Sequence, residues 1–412
     1  MNIVSFLKQR NFINKISDEK KVLQTLKEGK GVYIGFDPSF KSLHLGNYIM
    51  INILNIFDKF NIKTFALIGG ATGQVGDPSG KKNERKLLEL DLIENNIACI
   101  KKQLHKLTNS EIINNYDFYK NLTFIDFLRD VGKKFTLNYL LEKEIIKTRL
   151  ESGISFAEVS YNLIQGNDFL KLYENNNVGI QIGGSDQWGN ITTGLELIRK
   201  KYGENASACG ITINLLLKND GSKFGKSDKG AIYLDSRITP VFEMYQFFIN
   251  QEDQELKKLF MFFTILEIEK IDEILQKHEK NKTLRYGQRK LAKIVITKIH
   301  GHEAYEQCLK IANALFIGEF DKLTLQELDL CFKQFISFPL TKEIKLCDFL
   351  VGNKIIESKR VFRELITSNS LFVNQTKIEN FEFILTKENS YFNKYTIVKK
   401  GKKNYYIIMW KQ

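Results

Sequence analysis

Residues 33–47 read YIGFDPSFKSLHLGN, and the fold of the chain turns on this stretch. Val32-Tyr33-Ile34 has the apolar run of a buried strand, and Asp37-Pro38-Ser39 breaks it. Ser42 is expected to cap a helix whose apolar period runs from Leu43 to Phe60. A strand is thus aimed at a helix N-terminus. That end offers unpaired N–H groups and the positive pole of the helix dipole, so His44 and Asn47, one turn apart, suit a phosphate and a sugar hydroxyl. Gly46 has no Cβ and lets a flat base approach the backbone. Alone, the stretch says little, because a single histidine at a helix start is more often an ordinary surface or capping residue.

Working outward, KTFALI (63–68) is a second apolar strand that runs into GGATGQVGDPSGKK. Strand, helix, strand is a βαβ unit, and its continuous hydrophobic strands predict a parallel sheet covered on both faces. The right-handed crossover puts the two glycine-rich loops at the same sheet edge. Residues 179–182, followed by GGSDQWGN, and 211–217, ending at KNDGSKFGKSDKGA, read as two more such strands. Four strands therefore deliver four polar or glycine-rich loops to one edge.

The remaining segments read as helices for the most part. One or two amphipathic helices are expected in residues 1–30, and further helices at 84–107, 111–119, 123–150 and 155–173. The stretch of about 84–150 reads as an insertion whose apolar faces suit a subunit contact. Helical patterns resume near Asp235, with Pro240 as an entry turn, and run to Ile317. Beyond Pro339 come the apolar spacing of IKLCDFLVGNKIIESKRVFRELI and the strand-like YTIVKKGKKNYYIIMW. The expected fold class is α/β: a Rossmann-like parallel-sheet domain over 1–228, a helical domain over 229–325, and a small α+β domain over 340–412.

At 412 residues the chain is too long for one core, and roughly 150 residues per domain suggests two or three. A net charge of +13 raises a polyanionic partner, but a Lys-, Asn- and Ile-rich composition from an AT-rich genome produces the same balance. The five cysteines are scattered and free of any C-x-x-C pair, which argues against a disulfide framework and a zinc site, and no bound metal is expected. The N-terminus has no apolar core of a signal peptide, and the longest apolar run, 259–266, is too short to span a bilayer. A cytoplasmic protein is expected.

In SYNLIQGNDFL, Tyr161, Gln165 and Asp168 fall at i, i+4 and i+7, one helical face bearing a hydroxyl, an amide and a carboxylate. A polar stripe usually faces solvent. This one is set among Phe156, Leu163, Ile164 and Phe169, and a buried polar face needs a polar ligand. The loop after the second strand offers Asp77, then Lys81 and Arg85 as cations suited to phosphate, at a spacing that is not a P-loop. KFGKS carries Lys223 and Lys226 on a glycine-hinged loop; as an isolated pentapeptide it reads equally well as a solvated turn.

His44-Leu45-Gly46-Asn47 and Lys223-Phe224-Gly225-Lys226-Ser227 resemble the two signatures of class I aminoacyl-tRNA synthetases, usually written HIGH and KMSKS. YIGFDPSFKSLHLGN, GGATGQVGDPSGKK, SYNLIQGNDF, QIGGSDQWGNIT and DGSKFGKS together resemble the bacterial-type tyrosyl-tRNA synthetase family, in order and at matching separations, over nearly the whole chain. The resemblance implies that Tyr33 and Asp168 meet the phenol of tyrosine, and that Asp77, Tyr161 and Gln165 hold its ammonium group. It assigns Gly35, Asp37, Ser39, His44, Gly46, Asn47, Gly184, Asp186, Gln187 and Lys226 to ATP or the adenylate. Lys81, Arg85, Lys223, Lys226 and Ser227 match the loops that close on pyrophosphate. ATP as a substrate, magnesium with its phosphates, tRNA(Tyr) as acceptor and a homodimer are implied; a membrane and DNA are not.

Two positions depart from the family pattern: Asn47 replaces the second His of the first signature, and Phe224-Gly225 replaces Met-Ser in the second. Each still supplies a hydrogen-bonding side chain or a flexible spacer. The C-terminal segment is similar to the family's S4-like RNA-binding domain, with Lys354, Lys359, Arg360 and Arg363 as phosphate-contacting residues and Lys399, Lys400, Lys402 and Lys403 adding charge. A lysine-rich surface is the plainer reading of these cations. Rival readings are a tryptophanyl-tRNA synthetase, which shares both signatures, another nucleotidyl-transfer enzyme, and a non-catalytic RNA scaffold.

Overall fold

The computed structural model describes residues 1–79, 87–150, 153–216, 226–227, 230–333, 335–401 and 404–411, the side chains of Ile145, Lys226 and Ser227 excepted. Two compact units emerge: Met1–Thr239 with Phe247–Ile299, and Pro240–Gln246 with His300–Gln412.

The first unit is built on a six-stranded sheet of β1 (Ile13–Ile16), β2 (Gly31–Phe36), β3 (Thr64–Ile68), β4 (Glu111–Asn114), β5 (Val178–Gly184) and β6 (Cys209–Ile213), in the order β1-β6-β5-β2-β3-β4. Strands β2 to β6 are parallel, and β1 is an antiparallel edge on β6. The chain winds from β2 out to β4, then returns to β5 on the other side of β2. That reversal opens a crevice beyond the carboxyl ends of β2 and β5, where open α/β sheets bind ligands. β3 and β6 are buried throughout and β2 and β5 nearly so, as parallel strands covered on both faces must be.

The helix after β2 spans Leu45–Lys59, and its cap is His44, not Ser42. His44 has extended backbone, its Nδ1 accepts the Asn47 N–H at 3.3 Å, and the Asn47 amide oxygen accepts the His44 N–H at 3.1 Å, a reciprocal capping box. Ser42 is buried instead, with its Oγ taking the Asp235 N–H at 3.1 Å and a Gln103 amide hydrogen at 3.0 Å. Gly46 is required by this cap, since a Cβ there would stand 2.8 Å from the His44 ring.

Two strands of this sheet escaped the sequence reading. Residues 13–16 lie between helices Ile3–Gln9 and Glu19–Lys27, and residues 111–114 were expected to be helical. Both are four-residue edge strands, only half buried, too short for an alternating signal; pairing decides them. Phe65 of β3 stands beside Glu111, and Thr64 and Ser110 share a hydroxyl hydrogen bond at 2.8 Å. Helix Leu90–Leu107 is therefore the β3–β4 crossover. The segment 123–150 is broken into Phe124–Asp130, Gly132–Lys134, Leu137–Leu141 and Glu144–Lys147, because Thr123 and Thr136 each cap a new start.

The N-terminal arm is tied to the helix Leu256–Phe263 of the same unit. Arg10 is fully buried and donates to the carbonyls of Phe260 (3.2 Å), Met261 (2.6 Å), Thr264 and Leu266, the helix end where acceptors lack intrahelical partners. Burial pushes its guanidinium down to about 10, with Glu267 acting in the opposite sense. Asn52 of the Leu45–Lys59 helix donates to the Phe262 carbonyl at 3.1 Å, which fixes that helix against the same layer.

The second unit contains helices His302–Ile317 and Leu325–Phe332 and a five-stranded sheet. In that sheet Asn404–Trp410 lies between Ser337–Leu340, parallel to it, and Tyr395–Lys400. Leu350, Phe362, Leu371, Val398 and Ile408 form its core under the helices Leu346–Gly352 and Lys359–Thr367. Phe362 and Ile366 bury one face of the latter helix and leave Lys359, Arg360 and Arg363 exposed; Lys354 is exposed just ahead of it. Lys359 pairs with Asp348 at 2.9 Å and Arg360 with Glu364 at 3.0 Å. Lys402 and Lys403 lie outside the described residues.

Candidate active site

The crevice is a cleft of about 670 Å³, of the size expected for a small-molecule site. Its closed end is made by Tyr33 on β2 and Asp168 on the helix Phe156–Asn175, both essentially buried. Asp168 accepts from the Asn115 amide at 2.9 Å and from the Tyr119 hydroxyl at 2.6 Å. The Tyr33 hydroxyl is buried with no hydrogen-bond partner among the described residues. Tyr161 and Gln165, two turns and one turn before Asp168, line the same cleft, so the predicted polar face is inward.

Beyond this end the cleft is acidic and amide-lined. The Tyr161 hydroxyl donates to Asp37 at 3.0 Å, the Gln187 amide to Asp77 at 2.7 Å, and the Gln165 amide to the Gln187 oxygen at 3.2 Å. Gly76 adopts a φ of +88°, open to glycine, and turns Asp77 inward, where its carboxylate also takes the Ser79 N–H at 2.9 Å. Burial, then the charges of Asp37 and Asp77, hold the Tyr161 phenol well above its usual range. A group of carboxylates beside amide oxygens suits a cation such as an ammonium.

The mouth is lined by Gly35, Ser39, Phe40, His44, Gly46, Asn47, Gly184, Asp186 and Tyr233. Lys81, Arg85 and Lys223 lie outside the described residues, and of Lys226 and Ser227 only the backbone is described, as a short strand. The structure thus gathers Tyr33, Asp77, Tyr161, Gln165 and Asp168 with the loop residues of β2 and β5; it leaves the cations of the two loops without a described position.

Several side chains of the site were missed by the sequence reading. Asn115 bridges Asp168 and Thr72 (3.2 Å), and the Thr72 hydroxyl donates to Asp37 at 2.9 Å, so two carboxylates share one polar chain. Asn190 donates to Gln165 at 2.9 Å, and Gln181 lines the cleft with a buried, unpartnered Oε1. Reading 111–114 as a strand puts Asn115 at the carboxyl edge of the sheet and would have revealed it.

Burial, with the charge of Asp37, raises the Asp168 carboxyl to about 7, while Tyr119 and Asn115 pull it down. The folded protein then keeps a proton that the unfolded chain has already lost, so this group's contribution to stability falls as pH rises from the ordinary carboxylate range to about 7 and levels off above it. Asp168→Asn removes the slope. In urea unfolding, the variant is expected to gain up to about 3 kcal/mol on the unaltered protein between about pH 5 and about pH 8. A difference that does not change with pH would overturn the assignment.

The family model described as tRNA synthetases class I (W and Y) matches residues 26–317. A tyrosine–tRNA ligase of Ureaplasma urealyticum is 53% identical over 413 residues, 99% of each chain, and one of Listeria welshimeri 44% identical over the whole of both. The chain belongs to the tyrosine–tRNA ligases, within the class I aminoacyl-tRNA synthetases. A second family model, the tyrosine–tRNA ligase SYY-like C-terminal domain, matches residues 327–408. Among solved structures, the C-terminally truncated mitochondrial tyrosyl-tRNA synthetase of Coccidioides posadasii superposes with a TM-score of 0.67 at 28% identity, covering 75% of this chain and 91% of that one. As in other tyrosine–tRNA ligases the fold is a mixed α/β one around a parallel sheet, and the chain is an enzyme. None of its described helices is long and apolar enough to cross a membrane.

Proposed function

We propose that this enzyme activates L-tyrosine with ATP, giving tyrosyl-adenylate and pyrophosphate, and then transfers the tyrosyl group to the 3′-terminal adenosine of tRNA(Tyr). The closed end of the cleft carries the reading. A buried carboxylate beside a buried, unpartnered Tyr33 hydroxyl is costly until a ligand brings a hydroxyl that can donate to one and accept from the other. A phenol does both; an indole N–H only donates, and phenylalanine does neither.

With the phenol so placed, Asp77, Tyr161 and Gln165 receive the ammonium group, and the substrate carboxylate points towards the mouth. It is already ionised at neutral pH, so no general base is needed. A carboxylate oxygen bonds to the α-phosphorus as the bond to the β-phosphate oxygen breaks, and pyrophosphate leaves. Catalysis comes from positioning and from hydrogen-bond donors and cations that meet the growing charge: His44 and Asn47 at the helix N-terminus, with the cations Lys81, Arg85, Lys223 and Lys226 and the hydroxyl of Ser227 from the two loops. Gly35, Asp37, Ser39, Gly46, Gly184, Asp186 and Gln187 border the nucleotide. Magnesium is expected to arrive on the phosphates, where it would neutralise phosphate charge; Asp37 and Asp186, which line the cleft, are the carboxylates that would meet it. In the second step a terminal ribose hydroxyl attacks the adenylate carbonyl and AMP leaves.

For the tRNA, Lys354, Lys359, Arg360 and Arg363 are the proposed phosphate contacts of the C-terminal unit. A cytoplasmic homodimer is the proposed state, with the exposed Phe124, Ile125, Leu128 and Leu137 as its apolar contact. Amino-acid-dependent ATP–pyrophosphate exchange, with tyrosine, phenylalanine and tryptophan side by side and no tRNA, tests the central claim. Exchange with tyrosine alone is the expected result. Exchange with tryptophan would reassign the closed end, and exchange with none of the three would favour an RNA scaffold.

A further inference from the structure

The mouth of the cleft carries an aromatic pair that neither step above uses. Phe40 and Tyr233 both line it, with ring centroids 4.8 Å apart and planes tilted by 38°. Phe40 keeps 41% of its surface exposed, next to the polar residues Ser39 and Lys41. Its support is rigid. The Leu45 N–H donates to the Ile232 carbonyl at 2.9 Å and the Leu234 N–H to the Leu43 carbonyl at 2.8 Å, while the Tyr233 N–H is held by Thr239 Oγ1 at 3.0 Å. Tyr233 also meets the His44 ring edge-on at 6.5 Å. The platform is therefore locked to the residue expected at the reacting phosphate.

We propose that Phe40, backed by Tyr233, is the stacking surface for the terminal base of the tRNA acceptor strand during transfer; this rests on the tRNA-charging reading above. An unpaired strand end is recognised by stacking its bases on aromatic faces and by cations along its phosphates. Both are present. Lys41 is exposed next to Phe40, and the exposed Arg237, paired with Asp235 at 2.6 Å, lies close enough that Lys41 and Arg237 act on the same carboxylate. Gly46, Gly184, Leu215 and Leu216 line the cleft as well and would receive the base of ATP, which would leave the outer platform to the second nucleotide.

The test uses the full-length enzyme and Phe40→Ala, Phe40→Leu and Phe40→Trp, scored by tyrosine-dependent exchange and by kcat/KM for tRNA charging. Ala and Leu are expected to lower charging by roughly 10- to 100-fold, about ten-fold more than they lower exchange, and Trp to restore it. Binding of tRNA with and without its terminal adenosine gives a second readout. Trimming should weaken binding to the unaltered enzyme and leave binding to Phe40→Ala the same. Restoration by Leu would make Phe40 an apolar anchor, and equal losses in both steps would assign it to ATP; either result overturns the proposal, as does charging unaffected by Ala. Loss of exchange in the unaltered enzyme would instead overturn the activation reading beneath it.

Discussion

Asp168→Asn or Asp168→Ala is expected to collapse the preference for tyrosine over phenylalanine by roughly 10- to 150-fold, the worth of one hydrogen bond to a charged group, about 1.5–3 kcal/mol. The loss should fall on kcat/KM for tyrosine, with phenylalanine unchanged or improved, because the discriminating cost is the buried carboxylate that a bare ring leaves unanswered. Tyrosyl-tRNA synthetases are the standard example of such rejection, about 10⁵ without editing, and that magnitude is the family's own. Asp168 supplies part of it as acceptor, with the Tyr33 hydroxyl as the donor on the other side of the phenol. Exchange kinetics with both amino acids give the ratio, and a ratio unaltered in Asp168→Asn would remove Asp168 from the specificity site. Asparagine is the sharper variant, since alanine also strands the Asn115 amide and the Tyr119 hydroxyl.

His44→Ala should cost two separable things. As the helix cap it is worth about 1 kcal/mol of stability. As a donor to charge developing on the phosphates it is worth roughly 10²- to 10³-fold in the rate of exchange, with little change in KM. His44→Asn restores the cap chemistry without the imidazole, so thermal stability should return while the rate stays low. If the rate returned with the stability, His44 would be a cap and nothing more. The capping box makes the control informative: Asn47 already accepts the N–H of residue 44 and will do so whichever side chain stands there.

The parts of this fold that the sequence displays are those buried on both sides. β2, β3, β5 and β6 are runs of apolar residues because helices cover both faces of the sheet, and their loops stand out as glycine and acid between such runs. The edges are illegible for the converse reason. INKI and EIIN are four residues long, and only a partner strand tells them from a helical turn. That misreading hid Asn115 and Tyr119, which follow β4 directly and hold Asp168. Gln181 and Asn190 were hidden differently, as polar residues inside segments whose apolar neighbours set the pattern. His44 was picked out for chemistry, yet its capping bond, visible only when Nδ1 is seen to face Asn47, displaced Ser42 from the role the spacing suggested.

Arg10 and β1 bear on how the chain is made as well as how it is held. Arg10 donates to acceptors 250 to 256 residues further along, and β1 closes the sheet against residues 211–213. On a ribosome the first part of the chain to emerge must wait for nearly the last part of its unit before either can be satisfied. Contacts of such sequence separation are slow to close, and until β6 arrives the edge of β5, the strand β1 and an apolar arm remain open to other chains. The first unit therefore cannot be completed by a nascent chain that stops short of the Leu256–Phe263 helix and the carbonyls beyond it.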